Sequence, residues 1–348
     1  MSCLSLDPPW RSAILWSTER MITSCPANPK KRSNGHFPMH STETMDQAMT
    51  TPQGILVASD LSEHSGLALK RAANLARDLG SRLELLHVVE DTAPDFLPLQ
   101  EQPSRSSSEL IEHAFKQLHA QARKEIPEGV EHLCRVETGK AFLTIIHAAR
   151  RMPAGLIVVA AHGRHSLRDL FIGTTAEKVV RKGGLPVLVV KNDPRGPYRR
   201  VLVPTDFSAA AGRALSEARR LAPDANIDLL HVFALWGEGY LTSSAIRDAS
   251  QDRYHREMKS RASSAMSTWL EDIGIDDRGI RQRISHGRPG ALIPKVAARL
   301  AADLVAIGAT GRSRIESILL GSVAEHALWQ VPCDLLIVHP AGFRFQLP

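Results

Sequence analysis

Leu304-Val-Ala-Ile-Gly308-Ala-Thr-Gly311, continuing through nine residues to Gly321-Ser322, decides how the chain is read. The apolar run fits a buried strand, and it ends in two glycines three apart. A third glycine follows and is succeeded at once by a hydroxyl side chain. There the helical pattern Val323, Ala324, Ala327, Leu328 begins. Glycines let the backbone turn sharply and approach a ligand without Cβ interference. A helix opening at Gly321-Ser322 aims unpaired N–H groups and the positive end of its dipole at an anion. A phosphate chain is the simplest occupant of such a loop. Glycine-bearing strand-to-helix turns also arise for packing alone, so the loop needs support from elsewhere in the chain.

That support is a repeat. Val201-Leu-Val-Pro204-Thr205-Asp206 matches Ile55 to Asp60, and Ala214, Ala218, Leu221 and Ala222 reproduce the helix face of Ala68, Ala72, Leu75 and Ala76. Leu229 to Phe233 matches Leu85 to Val89. Gly287, Gly311 and Gly321 match Gly139, Gly163 and Gly173. A near-constant offset across so many positions means duplication. The expected domains are 53–192 and 199–340, joined by the short, stiff Asn192-Asp-Pro-Arg-Gly-Pro197.

Within each repeat the periodicity alternates between strand and helix. In the first, strands are expected at Ile55–Ser59, Leu83–Val89, His132–Glu137, Leu156–Ala160 and Val187–Val190. Helices fall between them, one closed by Gly80. This is an α/β pattern: a five-stranded parallel sheet with helices on both faces. With right-handed crossovers and a chain that starts mid-sheet and doubles back, the strand order is 3-2-1-4-5. Strands 1 and 4 are then neighbours, and ligands sit beyond their C-terminal ends at the switch point.

Asp206 stands at that switch point, either as a polar hook for a ligand or as the N-cap of the next helix. Ser322 could donate to a phosphate, cap its helix, or both. Arg312 and Arg314 lie in the loop, as charge for phosphates or as solvated side chains. His87 and His231 occupy equivalent strand ends, open to a proton-transfer or a structural reading. Trp236, Tyr240 and Trp269 are candidates for an interface or a pocket lid.

Composition bounds the function. A chain of 348 residues suits two ordinary domains, and with aromatics at only 5% the cores must be aliphatic. The net charge of +6 is spread over interleaved acids and bases with no aromatic-studded basic stripe, which argues against nucleic acid. Four cysteines without a CxxC pair indicate neither zinc nor a disulfide framework, and suit a reducing cytoplasm; Cys134 and Cys333 read as buried fillers. No apolar run is long enough to span a membrane. Residues 1–50 carry prolines, a Lys30-Lys31-Arg32 cluster and no periodicity. They read as a disordered extension or a stretch not natively made, with Met39, Met45 and Met49 as alternative starts.

Taken together, the opening VLVPTDFS (201–208), the LLHV strand, the Gly-x2-Gly-x9-Gly-Ser loop and the closing VPCDLLIVHP (331–340) resemble the universal stress protein family, in tandem. The resemblance implies Rossmann-like folds of the adenine nucleotide alpha hydrolase type, and ATP, with or without Mg2+, in the strand 1/strand 4 crevice. It implies that Pro204, Thr205 and Asp206 meet the adenosine and Val232 the adenine edge. Gly308, Gly311, Gly321, Ser322 and Val323 would hold the phosphates. The corresponding residues of the first repeat are Asp60, Val88, Gly163, Gly173 and Thr174. That repeat departs from the pattern: Ala160 replaces the first glycine and Ala58-Ser59 replaces Pro-Thr.

The function expected is that of a cytoplasmic ATP-binding stress or regulatory protein, holding nucleotide mainly in the second domain. The alternative is a nucleotide-free interaction scaffold of the same fold. An enzyme is disfavoured, beyond slow ATP hydrolysis, because no Ser-Gly-Gly-x-Asp-Ser, HIGH-type or Gly-x4-Gly-Lys-[Ser/Thr] signature is present and no paired carboxylates mark a metal site. The two domains are expected to pair with each other or with those of a second chain as a homodimer. Neither nucleic acid nor a membrane is an expected partner.

Overall fold

The computed structural model describes residues 54–90, 107–163, 172–234, 249–312 and 320–343. All of these belong to the unit Thr50–Pro348. The N-terminal stretch, the Pro- and Ser-rich segment after Asp91, Trp236, Tyr240 and Arg314 lie outside the described residues.

The first half runs β1 (Gly54–Ser59), α1 (Glu63–Leu79), β2 (Leu83–Val89), α2 (Ser107–Glu125), β3 (His132–Thr138), α3 (Ala141–Arg151), β4 (Ala154–Ala160), α4 (Thr174–Lys182), β5 (Val187–Val190). The second runs β6 (Arg200–Thr205), α5 (Ala209–Leu221), β7 (Asn226–Phe233), α6 (Ala249–Asp272), β8 (Ile280–His286), α7 (Pro289–Leu300), β9 (Leu304–Gly308), α8 (Ser322–Gln330), β10 (Asp334–Val338). Expected and observed elements agree to within a few residues. Local chemistry explains the boundaries: Ser62 caps α1 by accepting from the Ser65 amide, and Gly80 ends it in the left-handed conformation, φ 60°.

The strands form one sheet of ten, ordered β3-β2-β1-β4-β5-β10-β9-β6-β7-β8. Each half therefore has the order 3-2-1-4-5, with every internal pair parallel. The halves join through β5 and β10, which run antiparallel with Leu188 opposite Leu336. This pairing satisfies, from within the chain, two edges that would otherwise be open.

Buried aliphatics line both faces of the sheet, as parallel sheets require. On β1, Ile55 and Val57 pack into one cluster with Leu69, Leu118, Leu215 and Leu270, while Leu56 packs into the other with Ile145, Val179, Ile293 and Leu328. Cys134 and Cys333 are buried free thiols. Trp269 is buried too, with its ring 5.8 Å from that of Phe207. It is a core residue rather than a lid, because α6 lays it over the start of α5, beside Gly212.

Candidate functional site

At the end of β6 the chain makes a tight three-residue turn into α5. Phe207 sits at φ 64°, a conformation that costs a residue with a Cβ about 1 kcal/mol or more. Side chains on either side hold it there. The Phe207 amide donates to Thr205 Oγ1 (2.9 Å), the Ser208 amide to Asp206 Oδ1 (3.1 Å), and the Ala211 amide to Ser208 Oγ (3.2 Å). The N-cap of α5 is thus Ser208 and not Asp206. The capping alternative for Asp206 fails because the chain turns two residues further before it coils.

Freed from capping, Asp206 reaches across the switch point. Its Oδ2 accepts the amide of Arg312 at 2.9 Å, so the carboxylate ties β6 to the glycine loop after β9. A Cβ on Gly311 would lie 2.7 Å from that oxygen, which is why this position has none. The loop is fastened at both ends: the Ala309 amide donates to Val338 O (2.8 Å) and the Gly321 amide to Ala309 O (2.7 Å). The Arg312 guanidinium lies 5.4 Å from the centre of the Phe207 ring.

Helix α8 starts where the loop ends, with Gly321 as its N-cap and no side-chain capping bond. Ser322 is its first helical residue and does not cap it. The amides of Ser322, Val323 and Ala324 have no carbonyl four residues back within the helix, and all three residues line a cavity. Glu325, the acid of that first turn, is drawn aside by an ion pair with Arg181 of α4.

The cavity holds about 400 Å³ and is bounded by all nine second-half residues singled out in the sequence: Pro204, Thr205, Asp206, Val232, Gly308, Gly311, Gly321, Ser322 and Val323. Such a volume lies in the range of small-molecule sites. Sequence reasoning missed the apolar wall. Leu230 and Ile307 come from the strands, while Pro289 and Ile293 come from α7. The turn Gly287-Arg-Pro-Gly290 was a signal for α7 beginning nearby, but nothing local says that Ile293 faces this cavity.

Gly308 lines the cavity and also has a packing reason to lack a side chain. A Cβ there would lie 2.9 Å from the carbonyl carbon and Cβ of Ala210, so the missing side chain lets α5 pack against β9. His231 is a structural pin: its Nδ1 bonds to Thr205 O at 2.9 Å, and its ring stacks on Phe207 at 4.3 Å. The carbonyl partner places the proton on Nδ1. Burial pushes the pKa of His231 down, further disfavouring the imidazolium.

The first half builds the same frame. Leu61 has φ 63°, the Ser62 amide donates to Asp60 Oδ1 (3.0 Å), and His87 Nδ1 meets Ser59 O (2.8 Å). A Cβ on Gly163 would lie 2.8 Å from Asp60 Oδ2. Gly173 caps α4, which begins at Thr174, and the Gly173 amide donates to Ala161 O (2.8 Å). Val88 is half-buried on β2, in the place of Val232. Two differences alter the crevice. Ser59 Oγ is bonded to Gln121 (2.6 Å) and Ser65 (3.0 Å). In addition, the rings of His64 and His162 meet edge-on at 5.5 Å, where the second half has Ala210 and Thr310.

A doubly built α/β sheet with a carboxylate facing a glycine loop at each switch point defines a tandem Rossmann-like protein. The universal stress protein family model matches residues 52–191 and again 197–339, and the chain belongs to that family, in tandem form. Universal stress protein E of Escherichia coli K12 is 23% identical over 307 residues, spanning 85% of this chain and 96% of the relative. A universal stress protein of Mycolicibacterium smegmatis is 26% identical over 301 residues, spanning 83% and 98%. Among solved structures, a functionally unknown protein from Pseudomonas aeruginosa PAO1 superposes with a TM-score of 0.61 at 22% identity, over 84% of this chain and 94% of its own. A universal stress protein from Archaeoglobus fulgidus does so with a TM-score of 0.53 at 20% identity, over 83% and 99%. These two likenesses concern the fold. No helix among the described residues is long and apolar enough to cross a membrane.

Proposed function

We propose that the protein is a stress-response regulator that binds ATP in the second half, the nucleotide acting as a ligand that biases conformation rather than as a substrate to be turned over. The observation that carries this reading is the cavity between β6 and β9, whose chemistry changes along its length. At one end the first-turn amides of α8 offer donors and a positive dipole to a phosphate tail. In the middle, Asp206 keeps lone pairs for ribose hydroxyls, because an ionised carboxylate can accept about four hydrogen bonds and two are taken by amides. The Leu230, Val232 and Ile293 wall suits the face of a base, and the Val232 backbone would meet its edge.

The same frame in the first half supports a weaker site at Asp60, Gly163, Gly173 and Thr174, where the His64–His162 ring pair replaces Ala210 and Thr310. Mg2+ would come with the phosphates. The β5–β10 pairing gives each half its partner inside the chain, which favours a self-sufficient monomer over a homodimer made through those edges.

The test is calorimetric titration of ATP into the full chain, with mass spectrometry of any ligand released from freshly purified protein. One dominant site, weakened by Gly311→Val, is expected. Absence of binding at about 1 mM ATP would defeat the proposal in favour of a nucleotide-free scaffold. Turnover well above slow hydrolysis, abolished by a cavity substitution, would show an enzyme instead.

A further inference from the structure

We propose a second ligand site, independent of the first, at the seam between the halves: a hollow that takes a small phosphate-bearing anion such as pyrophosphate. The cavity holds about 470 Å³ and lies along the connection between β5 and β6. Its wall carries Arg71 of α1, Arg195, Arg199 and Arg200, together with Asp193, Asp303 and Asp334.

What matters is which of these charges are already engaged. Asp334 accepts four bonds, from the Lys191 amide (2.9 Å), the Asn192 amide (3.3 Å), Tyr198 OH (2.7 Å) and Arg71 Nε (3.2 Å). Asp303 accepts the amides of Arg199 (2.8 Å) and Arg200 (3.1 Å). Asp193 pairs with Lys70 at 2.8 Å. Every acid of the hollow is therefore bonded, Asp334 and Asp193 to a cation and Asp303 to two amides with lone pairs to spare.

The exposed cations are not. Arg71 is only 5% exposed and is held by Asp334, by Gly196 O at 2.7 Å and by the Tyr198 ring at 4.0 Å. The side chains of Arg195, Arg199 and Arg200, by contrast, pair with no carboxylate among the described residues. Guanidinium groups gathered on one concavity repel one another and contribute nothing to folding by it. An anion shared among them reverses that sign, and the guanidinium fork matches phosphate oxygens.

The walls also discriminate. Beyond the charged groups they offer Asn192, Gly196, Pro197, Ala302, Pro332 and Cys333, with no aromatic or branched aliphatic side chain on which a base could lie. The shape favours a bare or sugar-borne phosphate over a nucleotide. Because Arg71 belongs to the first half and Asp303 and Arg200 to the second, an anion held here would bridge the two.

Pyrophosphate titrated into the full chain carrying Gly311→Val, which weakens the other site, is the direct test. Saturable binding below about 1 mM and a rise in melting temperature are expected. Adding Arg195→Ala, Arg199→Ala and Arg200→Ala, all exposed positions tolerant of change, should weaken binding about tenfold or more. Arg261→Ala, an exposed arginine of α6, should leave it unchanged. No saturable binding in the Gly311→Val chain, or equal affinity with and without the three arginines, would overturn the proposal.

Discussion

Asp206 Oδ2 and the amide of Arg312 lie 2.9 Å apart across the switch point, and a Cβ on Gly311 would come within 2.7 Å of the same oxygen. The carboxylate thus shapes the very loop it faces.

Because of that contact, Gly311→Val is expected to push the carboxylate aside and lower ATP affinity about tenfold or more, with folding largely retained. Asp206→Asn is a finer probe. Its amide can keep an acceptor toward Ser208 but then presents a donor to the Arg312 N–H, so the loop should loosen and affinity fall. Calorimetric titration of both variants beside the parent checks this. Unchanged affinity in both would separate the loop from the ligand.

Gly308→Ala should behave differently. The added methyl meets the Ala210 backbone rather than a ligand, so a loss of about 1–3 kcal/mol in urea unfolding is expected, whatever happens to ATP. Ala160→Gly, at the matching position of the first half, has no such clash to relieve and should cost about 1 kcal/mol or less through backbone entropy.

Asp334→Ala should be among the most damaging single changes. It strips four donors of their acceptor and leaves the Arg71 guanidinium buried and uncompensated, for a cost of about 3–5 kcal/mol in urea unfolding. A loss under about 1 kcal/mol would mean that water replaces the carboxylate at the seam.

Lys191 makes the seam pH-dependent. Burial pulls its pKa down to about 8 from 10.5, and its Nζ donates to Leu328 O and Val331 O, both at 2.8 Å. Between those pKa values the unfolded chain holds the proton and the folded chain has released it, so stability from this group rises with pH. Relative to Lys191→Met, the parent should gain about 1 kcal/mol between pH 7 and pH 9 in urea unfolding. A constant difference across that range would refute the assignment. Cys333 acts in the opposite sense above pH 9: burial lifts its pKa from 9.0 to about 12, so the unfolded thiol ionises first and stability falls.

Most of the second-half site was legible in the sequence, and for a clear reason. Gly311, Gly321 and Ser322 are separated by spacings that a strand–loop–helix junction imposes locally, and duplication marks which of those spacings matter. Three readings needed the fold. Ser208, not Asp206, caps α5 because the intervening Phe207 takes a left-handed conformation that no propensity would assign to it. Gly308 is bare because of Ala210, a residue nearly a hundred positions away. Ile293 enters the cavity from a helix packed across the sheet, and its periodicity says only that it is buried.

By itself, the sequence determined the alternation of strands and helices, their approximate limits, the duplication and the carboxylate-plus-glycine pattern at each switch point. All of these depend on residues that are neighbours along the chain or on a repeat that can be counted. Only the tertiary structure decided that β5 and β10 meet antiparallel, that Arg71 finds Asp334 from 263 positions away, and that Arg195, Arg199 and Arg200 line the same hollow as that pair. Those contacts are set by which surfaces come together after the chain has folded, and an edge strand or a lone arginine carries no mark of its partner.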